Sequence, residues 1–248
     1  ALARCDDHNV TLMTHLALVA QQMHPDSFDV QSISNLANAY AKLDPDSDVT
    51  RGLLEFIAVV GLYLEVDDGF TPQAVSNLAN AFAKADLVGE EAFLQHLASA
   101  AINIPPHYFG PQSVANIANA FAKLGVKDSS TAAMERLFAH ISSAALTQDP
   151  NSLDMQNVAN ILNAYAKVGI RDMGVVRAMT QAVDAMACSP AGCTVESGDP
   201  QAIANILHAV AVLDVRDPEA RRIVTSVLPA LLQIDPTDCQ EQGVANLD

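Results

Sequence analysis

Tryptophan is absent from the 248 residues, and aromatic side chains make up only 5% of them, although half of the residues are apolar. The core must therefore consist of alanine, leucine, valine and isoleucine in helices that approach each other closely, which favours an all-α fold. Lysine is scarce too, and the 29 acidic residues outnumber the 13 basic ones. This net charge of −16 argues against binding a polyanion, because phosphate contacts need Lys and Arg.

Long apolar runs are also missing. The longest one starts at Leu53, has 12 residues and contains Glu55, whereas a helix that spans a membrane needs about 20. The sequence therefore predicts no membrane insertion.

Motifs for catalysis and metal binding are not found. The cysteines and histidines lack the spacing of zinc ligands, and no Gly-rich phosphate loop, nucleophile elbow or metalloprotease motif occurs. Asp44, Asp46, Asp48 and Glu55 have EF-hand spacing, but Val49 stands where that loop needs glycine. We predict a non-catalytic protein with no cofactor, no metal and no small-molecule substrate. Reduced thiols are predicted for the four cysteines, Cys5, Cys188, Cys193 and Cys239. The alternative is a disulfide across the loop between Cys188 and Cys193.

One segment is repeated along most of the chain, with the pattern Q-x-[IV]-[AS]-N-[LI]-x-[NH]-A-x-A. Five full copies begin at Gln31, Gln73, Gln112, Gln156 and Gln201, and a sixth, incomplete copy begins at Gln242. Successive copies are 42, 39, 44, 45 and 41 residues apart, which is the period of an α-solenoid built from helix pairs. We predict an all-α solenoid of about five to six helix-turn-helix repeats, forming a single array over residues 1–248. Because the sixth copy stops within its helix, the natural chain is expected to continue beyond residue 248.

Helix-boundary residues flank the copies and predict repeat helices that start near residues 29, 71, 110, 154, 199 and 240. N-cap residues stand two positions before the glutamine: Asp29, Thr71, Gly110, Asp154 and Asp199. Proline occupies the first helical turn of three copies, at Pro72, Pro111 and Pro200. Glycine follows the end of two copies, at Gly125 and Gly169. Amphipathic stretches that begin at Arg51, Glu90, Thr131 and Pro218 predict second helices between the copies.

Each repeat helix has a polar face. At about 100° per residue, positions 0, 4, 7 and 11 counted from the glutamine share one side of the helix. These positions, called here the amide–lysine stripe, hold Gln, Asn, Asn and Lys in four copies, and Gln, Asn, His208 and Val212 in the fifth. Positions 2, 5, 9 and 12 are mainly apolar and predict contact with the partner helix, while small residues at positions 3, 6, 8 and 10 let neighbouring repeat helices approach.

Charge is distributed unevenly. The five full copies contain no acidic residue, and four of the five lysines lie at position 11: Lys42, Lys84, Lys123 and Lys167. The layer of repeat helices is therefore predicted to be neutral to basic, and the connections acidic.

The amide–lysine stripe has two interpretations. In a nucleic-acid groove, the lysines contact phosphates while the Gln, Asn and His side chains of the stripe meet bases or peptide groups. The position-7 residues are the first candidates for base contact: Asn38, Asn80, Asn119, Asn163 and His208. In a purely structural role, lysine in the last turn complements the helix dipole, and stacked asparagines hydrogen-bond to neighbouring backbone. His208 then either faces a ligand or marks a divergent repeat.

The run PQSVANIANAFAKLG from Pro111 resembles the octotricopeptide repeat and its apicomplexan relative, the heptatricopeptide repeat found beside RAP domains. The resemblance covers five units and a fragment, nearly the whole chain. Octotricopeptide repeats often carry Trp where this chain has the position-7 asparagines, so the chain is more similar to the apicomplexan form. No RAP domain is visible.

The resemblance implies an organellar α-solenoid, mitochondrial rather than plastid, that acts in RNA processing, stability, translation or the mitoribosome. Its partners would be organellar RNA, including rRNA, or basic proteins of a large complex. The alternative, which the acidic charge favours, is a protein-binding scaffold or structural subunit of a large organellar complex with no direct RNA contact.

Overall fold

The computed structural model describes residues 10–67, 69–125, 131–187 and 200–231. Within these ranges the chain is helical and contains no β-strand, which confirms the all-α prediction. Its α-helices are α1 (Val10–Gln22), α2 (Val30–Leu43), α3 (Asp48–Tyr63), α4 (Pro72–Lys84), α5 (Glu91–Asn103), α6 (Pro111–Leu124), α7 (Thr131–Leu146), α8 (Met155–Val168), α9 (Met173–Ala187), α10 (Pro200–Val212) and α11 (Pro218–Leu231). Short 3-10 turns at Pro25–Ser27, Pro106–Tyr108 and Pro150–Ser152 precede α2, α6 and α8.

The repeated segment forms α2, α4, α6, α8 and α10, and the four predicted second helices are α3, α5, α7 and α11. Helices α1 and α9 were not identified from the sequence. Asp199, the sixth copy at Gln242 and all four cysteines lie outside the described residues.

Side-chain caps start the repeat helices where the sequence predicts them. The Ser32 N–H donates to Asp29 Oδ1 at 2.7 Å, and the Asp29 N–H donates to Ser32 Oγ at 2.9 Å, which completes a capping box. The hydrogen bonds from Ser32 lower the pKa of Asp29. At α4 and α8 a single cap bond is present: Thr71 Oγ1 accepts from the Ala74 N–H at 3.1 Å, and Asp154 Oδ1 accepts from the Asn157 N–H at 2.6 Å. At the other end of α8, Gly169 adopts the left-handed conformation with φ 71°, which favours glycine.

The chain divides into two compact units, each with two layers of helices. The first unit comprises residues 1–105 and 124–137. In its first layer α2 packs beside α4, and in its second layer α3 contacts both α1 and α5. The two layers meet where α2 packs on α3 and where α4 packs on α5. The second unit comprises residues 106–123 and 138–248. There α8 packs beside α10 in one layer, and α9 packs beside α11 in the other. The layers meet where α8 packs on α9 and where α10 packs on α11. Within each unit the helices pack on their neighbours, as in an α-solenoid.

Burial follows the repeat positions. The apolar residues at positions 2 and 9 are buried in all five copies, and position 5 is buried in all except Leu36. Alanine at position 8 is buried in α4, α6, α8 and α10. Because these side chains are small, the neighbouring repeat helices α2 and α4 lie close together, and so do α8 and α10. The small residues therefore bring the stripes of adjacent helices into proximity.

A further repeated core position was missed in the sequence. An apolar residue directly before the N-cap is buried in four copies: Phe28, Phe70, Phe109 and Leu153. Its spacing to the apolar residue at position 2 is that of a hydrophobic staple. The three phenylalanines also pack edge-on against a ring of a second-layer helix, Phe56, His96 or His140, at centroid distances of 5.6 to 5.9 Å. These contacts help to orient the starts of α2, α4 and α6.

Tyr165 connects the two layers of the second unit through its hydroxyl. Tyr165 Oη lies 2.7 Å from Ser142 Oγ and donates to the Phe138 carbonyl at 3.2 Å. Burial raises the pKa of the Tyr165 phenol well above its usual value. The hydroxyl is thus a satisfied polar group inside an apolar contact.

We expect Tyr165→Phe to lower the free energy of unfolding by about 1–3 kcal/mol, because Ser142 Oγ and the Phe138 carbonyl lose a buried partner. Urea unfolding followed by circular dichroism measures the change. Adding Ser142→Ala should recover part of the loss, since removing both polar partners is less costly than orphaning one. An unchanged urea midpoint for Tyr165→Phe would contradict this role.

Candidate nucleic-acid interface

The amide–lysine stripe lies at the protein surface in every repeat helix. The glutamines at position 0 are exposed in four copies and half-buried at Gln201. The asparagines at position 4 are half-buried except for the exposed Asn35. All four position-7 asparagines are half-buried, and all four position-11 lysines are exposed. No stripe residue of the five described repeat helices is buried, so the stripe is at least partly exposed to solvent along these helices.

The lysines are available for contact with an anion. Lys42, Lys84, Lys123 and Lys167 each lie in the last turn of their helix. None of the four makes an ion pair with any other residue in the described part of the chain. Their position also suits the negative end of the helix dipole. The two interpretations of the lysines are therefore compatible, because complementing the dipole leaves the ammonium group exposed.

The asparagines are half-buried without internal partners. In the first four copies, no position-4 or position-7 asparagine makes a side-chain hydrogen bond with another residue of the described ranges. The interpretation of a stacked asparagine ladder needs such bonds to neighbouring backbone. The polar bonds found next to the stripe are local: Ser34 and Ser76 hydroxyls donate to the Gln31 and Gln73 carbonyls within the same helix, both at 3.0 Å. Amide groups free of internal bonds can bond to a ligand.

A polar cleft lies between α2 and α4 and is lined by stripe residues of both helices. We call it the α2–α4 cleft; its volume is about 350 Å³, within the range typical of ligand sites. Its polar lining residues are Gln31, Ser34, Asn35, Thr71, Gln73 and Asn77. The lining has no charged side chain among the described residues. The cleft therefore presents four neutral amides, each able to donate and accept hydrogen bonds.

The lysine of each helix lies a fixed distance beyond the amides. At 1.5 Å per residue, Lys42 is about 6 Å along the helix axis from Asn38 and about 10 Å from Asn35. Within a unit, the lysines of adjacent repeat helices thus lie one to two helical turns beyond the amides, on the same helix face. This arrangement is chemically suited to a single-stranded nucleic acid.

The fifth copy departs from this arrangement. His208 is exposed on α10, and Val212, which stands in place of the lysine, is 53% exposed. The last described repeat helix therefore has no cation at position 11. The structure places His208 on the same helix face as the other position-7 residues without bringing it to a described cavity.

Sequence reasoning missed two features of this surface. The α2–α4 cleft depends on Thr71, a cap residue, and on the backbone at Gly69, neither of which belongs to the repeated stripe. An apolar cavity of about 220 Å³ lies between α1, α2 and α3, lined by Met13, Tyr40 and Leu43. Both arise where separate segments meet, so no sequence pattern marks them.

Other kinds of site find no support among the described residues. No group of three or more His, Cys, Asp or Glu side chains in these ranges is arranged to hold a metal ion. Asp44 instead accepts a hydrogen bond from the Asp46 N–H, and Ser47 caps α3. Of the helices described, none combines the length and the apolarity that crossing a bilayer requires.

Neither family models nor curated protein sequences produce a match to this chain.

Proposed function

We propose that this chain is a non-catalytic helical-repeat protein that binds single-stranded RNA along the amide–lysine stripe. The observation that carries the proposal is the α2–α4 cleft, where four amides with no internal hydrogen bond in the described part of the chain meet between adjacent repeat helices. The exposed Lys42 and Lys84 lie at the ends of the same two helices. Phosphate contacts supply affinity and positioning, while amides contact the bases.

The wider proposal is an array of five full repeats and a sixth partial one that acts in organellar RNA metabolism. The resemblance of the repeat to octotricopeptide and heptatricopeptide repeats supports this setting, with mitochondria favoured over plastids. The RNA would be an organellar transcript or rRNA, and the activity would be processing, stabilisation, translation or a role in the mitoribosome.

The acidic residues of the chain lie outside the amide–lysine stripe. The stripe positions of the five repeat helices carry only lysine as a charged residue, and the acids lie in other segments such as the 44–48 connection, where Asp44, Asp46 and Asp48 are exposed. Charges more than about 10 Å apart are largely screened at ordinary ionic strength, whereas Asp44 and Asp86 follow Lys42 and Lys84 by only two residues. These nearby acids weaken the attraction of an RNA to the stripe, and we expect binding at low salt that weakens steeply as salt is added.

The decisive experiment measures how binding to single-stranded RNA depends on salt, for the wild type and for one quadruple variant. That variant combines Lys42→Ala, Lys84→Ala, Lys123→Ala and Lys167→Ala. We expect the slope of log affinity against log salt to shrink by about 0.7 for each phosphate that a substituted lysine had neutralised. Fluorescence anisotropy with a labelled oligonucleotide at several salt concentrations gives this slope.

A control variant should remove the same charge elsewhere. Arg51→Ala, Lys127→Ala, Arg136→Ala and Arg221→Ala together also remove four positive charges, none of them from the stripe. This variant should keep most of the wild-type slope. Equal slopes for the two quadruple variants would refute a phosphate-binding role of the stripe, and an absence of wild-type binding at low salt would refute RNA binding by this chain.

A second candidate is a protein-binding scaffold, favoured by the net charge of −16 and by the exposed acids of the connections. In that case the acidic connections would dock a basic protein of a large complex, and the stripe would have no ligand. Binding to a basic partner that the lysine variant leaves unchanged, together with no RNA binding, would support the scaffold.

A further inference from the structure

Helix α1 is anchored in the first unit through the side that carries Ala17 and Ala20. Both alanines are buried, α1 packs beside α3, and the Tyr40 hydroxyl of α2 donates to the Met13 carbonyl at 2.6 Å. A different side of α1 carries large apolar side chains that are between 39% and 45% exposed. We call these residues the α1 stripe: Leu12, Leu16, Val19 and Met23.

The spacing of the α1 stripe is that of a seam between two helices. Its members are four, three and four residues apart, and apolar residues at these steps pack as knobs into the holes of a facing helix. Met23 directly follows α1, and its N–H donates to the Ala20 carbonyl at 3.1 Å, which keeps it beside the last turn. The third side of α1 is mixed in character and carries Thr11, His15, Leu18 and Gln22.

The absence of charge on α1 narrows what can cover the α1 stripe. The helix contains no Asp, Glu, Lys or Arg, so it has no cation for a phosphate and no carboxylate for a basic protein. Amphipathic helices that lie on anionic membranes carry lysine or arginine on their polar side, and α1 has neither. The best match is another uncharged apolar helix, and a second copy of this chain supplies one in its own α1.

The α1 stripe is complementary to itself when two α1 helices run antiparallel. Its members are symmetric about the midpoint between residues 17 and 18. Leu12 therefore faces Met23 of the second copy, and Leu16 faces Val19 of the second copy. Each pair occurs twice, as a two-fold axis requires. The antiparallel direction also places opposite ends of the two helix dipoles side by side.

We infer that a second copy of this chain covers the α1 stripe, so that two chains pair through antiparallel α1 helices. The contact is small, because a helix of 13 residues is about 20 Å long, and interfaces below about 1,200 Å² belong to weak encounters. The charge of −16 on each copy also opposes pairing. We therefore expect a reversible dimer at micromolar or higher concentration. Added salt should strengthen pairing by screening the repulsion, whereas it weakens RNA binding.

Sedimentation equilibrium of the whole chain, over a range of protein concentrations and at low and high salt, measures the association. Leu16→Glu should weaken pairing by about tenfold or more, because it places a charge in the apolar seam. The matched control is Leu18→Glu, the same change at a side chain that is 51% exposed on another side of the same helix. This control should leave the association unchanged. Circular dichroism and the urea midpoint of each variant confirm that the fold is retained.

A pair of complementary variants tests the antiparallel register. Leu16→Lys and Val19→Glu should each weaken pairing when present alone. An equimolar mixture of the two variants should restore it, because the new ammonium group at residue 16 of one chain faces the new carboxylate at residue 19 of the other. In a parallel pair residue 16 would face residue 16, and mixing would restore nothing.

The outcomes keep this inference separate from RNA binding. A wild-type chain that stays monomeric at all concentrations and at both salt levels would overturn it. Equal association of Leu16→Glu and the wild type would show that pairing uses another surface, and a mixture as weak as its components would overturn the antiparallel register. Leu16→Glu should leave the salt slope of RNA binding as in the wild type, because the α1 stripe and the amide–lysine stripe lie on different helices.

Discussion

Phe82→Ala is expected to lower the free energy of unfolding by about 3–5 kcal/mol, the usual cost of removing a buried aromatic ring. Phe82 occupies position 9 of α4, is fully buried, and packs on the equally buried Phe93 of α5 at a ring-centroid distance of 5.0 Å. The substitution leaves a cavity between the two layers that the closely packed alanines of α4 cannot fill. Urea or thermal unfolding followed by circular dichroism measures the loss.

A matched control for Phe82→Ala is Tyr63→Ala in the same unit. The Tyr63 side chain is 70% exposed at the end of α3, so its removal should change the free energy of unfolding by no more than about 0.5 kcal/mol. Similar losses for the two variants would mean that Phe82 is not part of a close-packed core.

Gly61→Ala is expected to destabilise the protein by about 1–3 kcal/mol through overpacking. Gly61 is buried in α3, and a Cβ atom there would lie 2.9 Å from Cδ2 of Phe93 and closer still to Cε2. Phe93 is fully buried and packed on Phe82, so its ring has little room to move. The urea midpoint of the variant, compared with that of the wild type, measures the effect.

Gly52→Ala is the control for helix propensity, because Gly52 lies in the same helix and a Cβ atom there would meet no atom within 4 Å. This substitution should stabilise α3 by about 0.5–1 kcal/mol, since alanine is the better helix former. We therefore expect the same glycine-to-alanine change to lower the free energy of unfolding at Gly61 and to raise it at Gly52. This difference in sign would show that the loss at Gly61 comes from its contact with Phe93. A stabilising Gly61→Ala would show that α3 and α5 can separate at little cost.

These core contacts bear on the proposed site because they hold the two helices of the α2–α4 cleft. Phe82 fixes α4 on α5, and Gly61 allows α3 to approach α5 closely. Since α2 packs on α3, the separation of α2 and α4 depends on both contacts. Variants that loosen this packing should therefore also weaken any ligand binding that needs amides from both helices.

The sequence by itself determined the five repeat helices and their polar and apolar faces. The Gln–Asn pattern located five repeat helices, and the N-cap residues Asp29, Thr71 and Asp154 marked where three of them begin. Local physics is sufficient for these features, because capping depends on residues three positions apart and the burial pattern repeats with the helical period. Helices α1 and α9, which belong to neither the repeated pattern nor the four predicted second helices, were not identified.

Only the tertiary structure decided how the faces combine. It brought Gln31 and Asn35 of one repeat helix together with Gln73 and Asn77 of the next in a single cleft, and left their amides without hydrogen bonds to other described residues. It likewise placed Phe93 against Gly61 and Ser142 against Tyr165. These contacts join residues that are far apart in the sequence, and they depend on the close approach of packed helices, which no local pattern specifies.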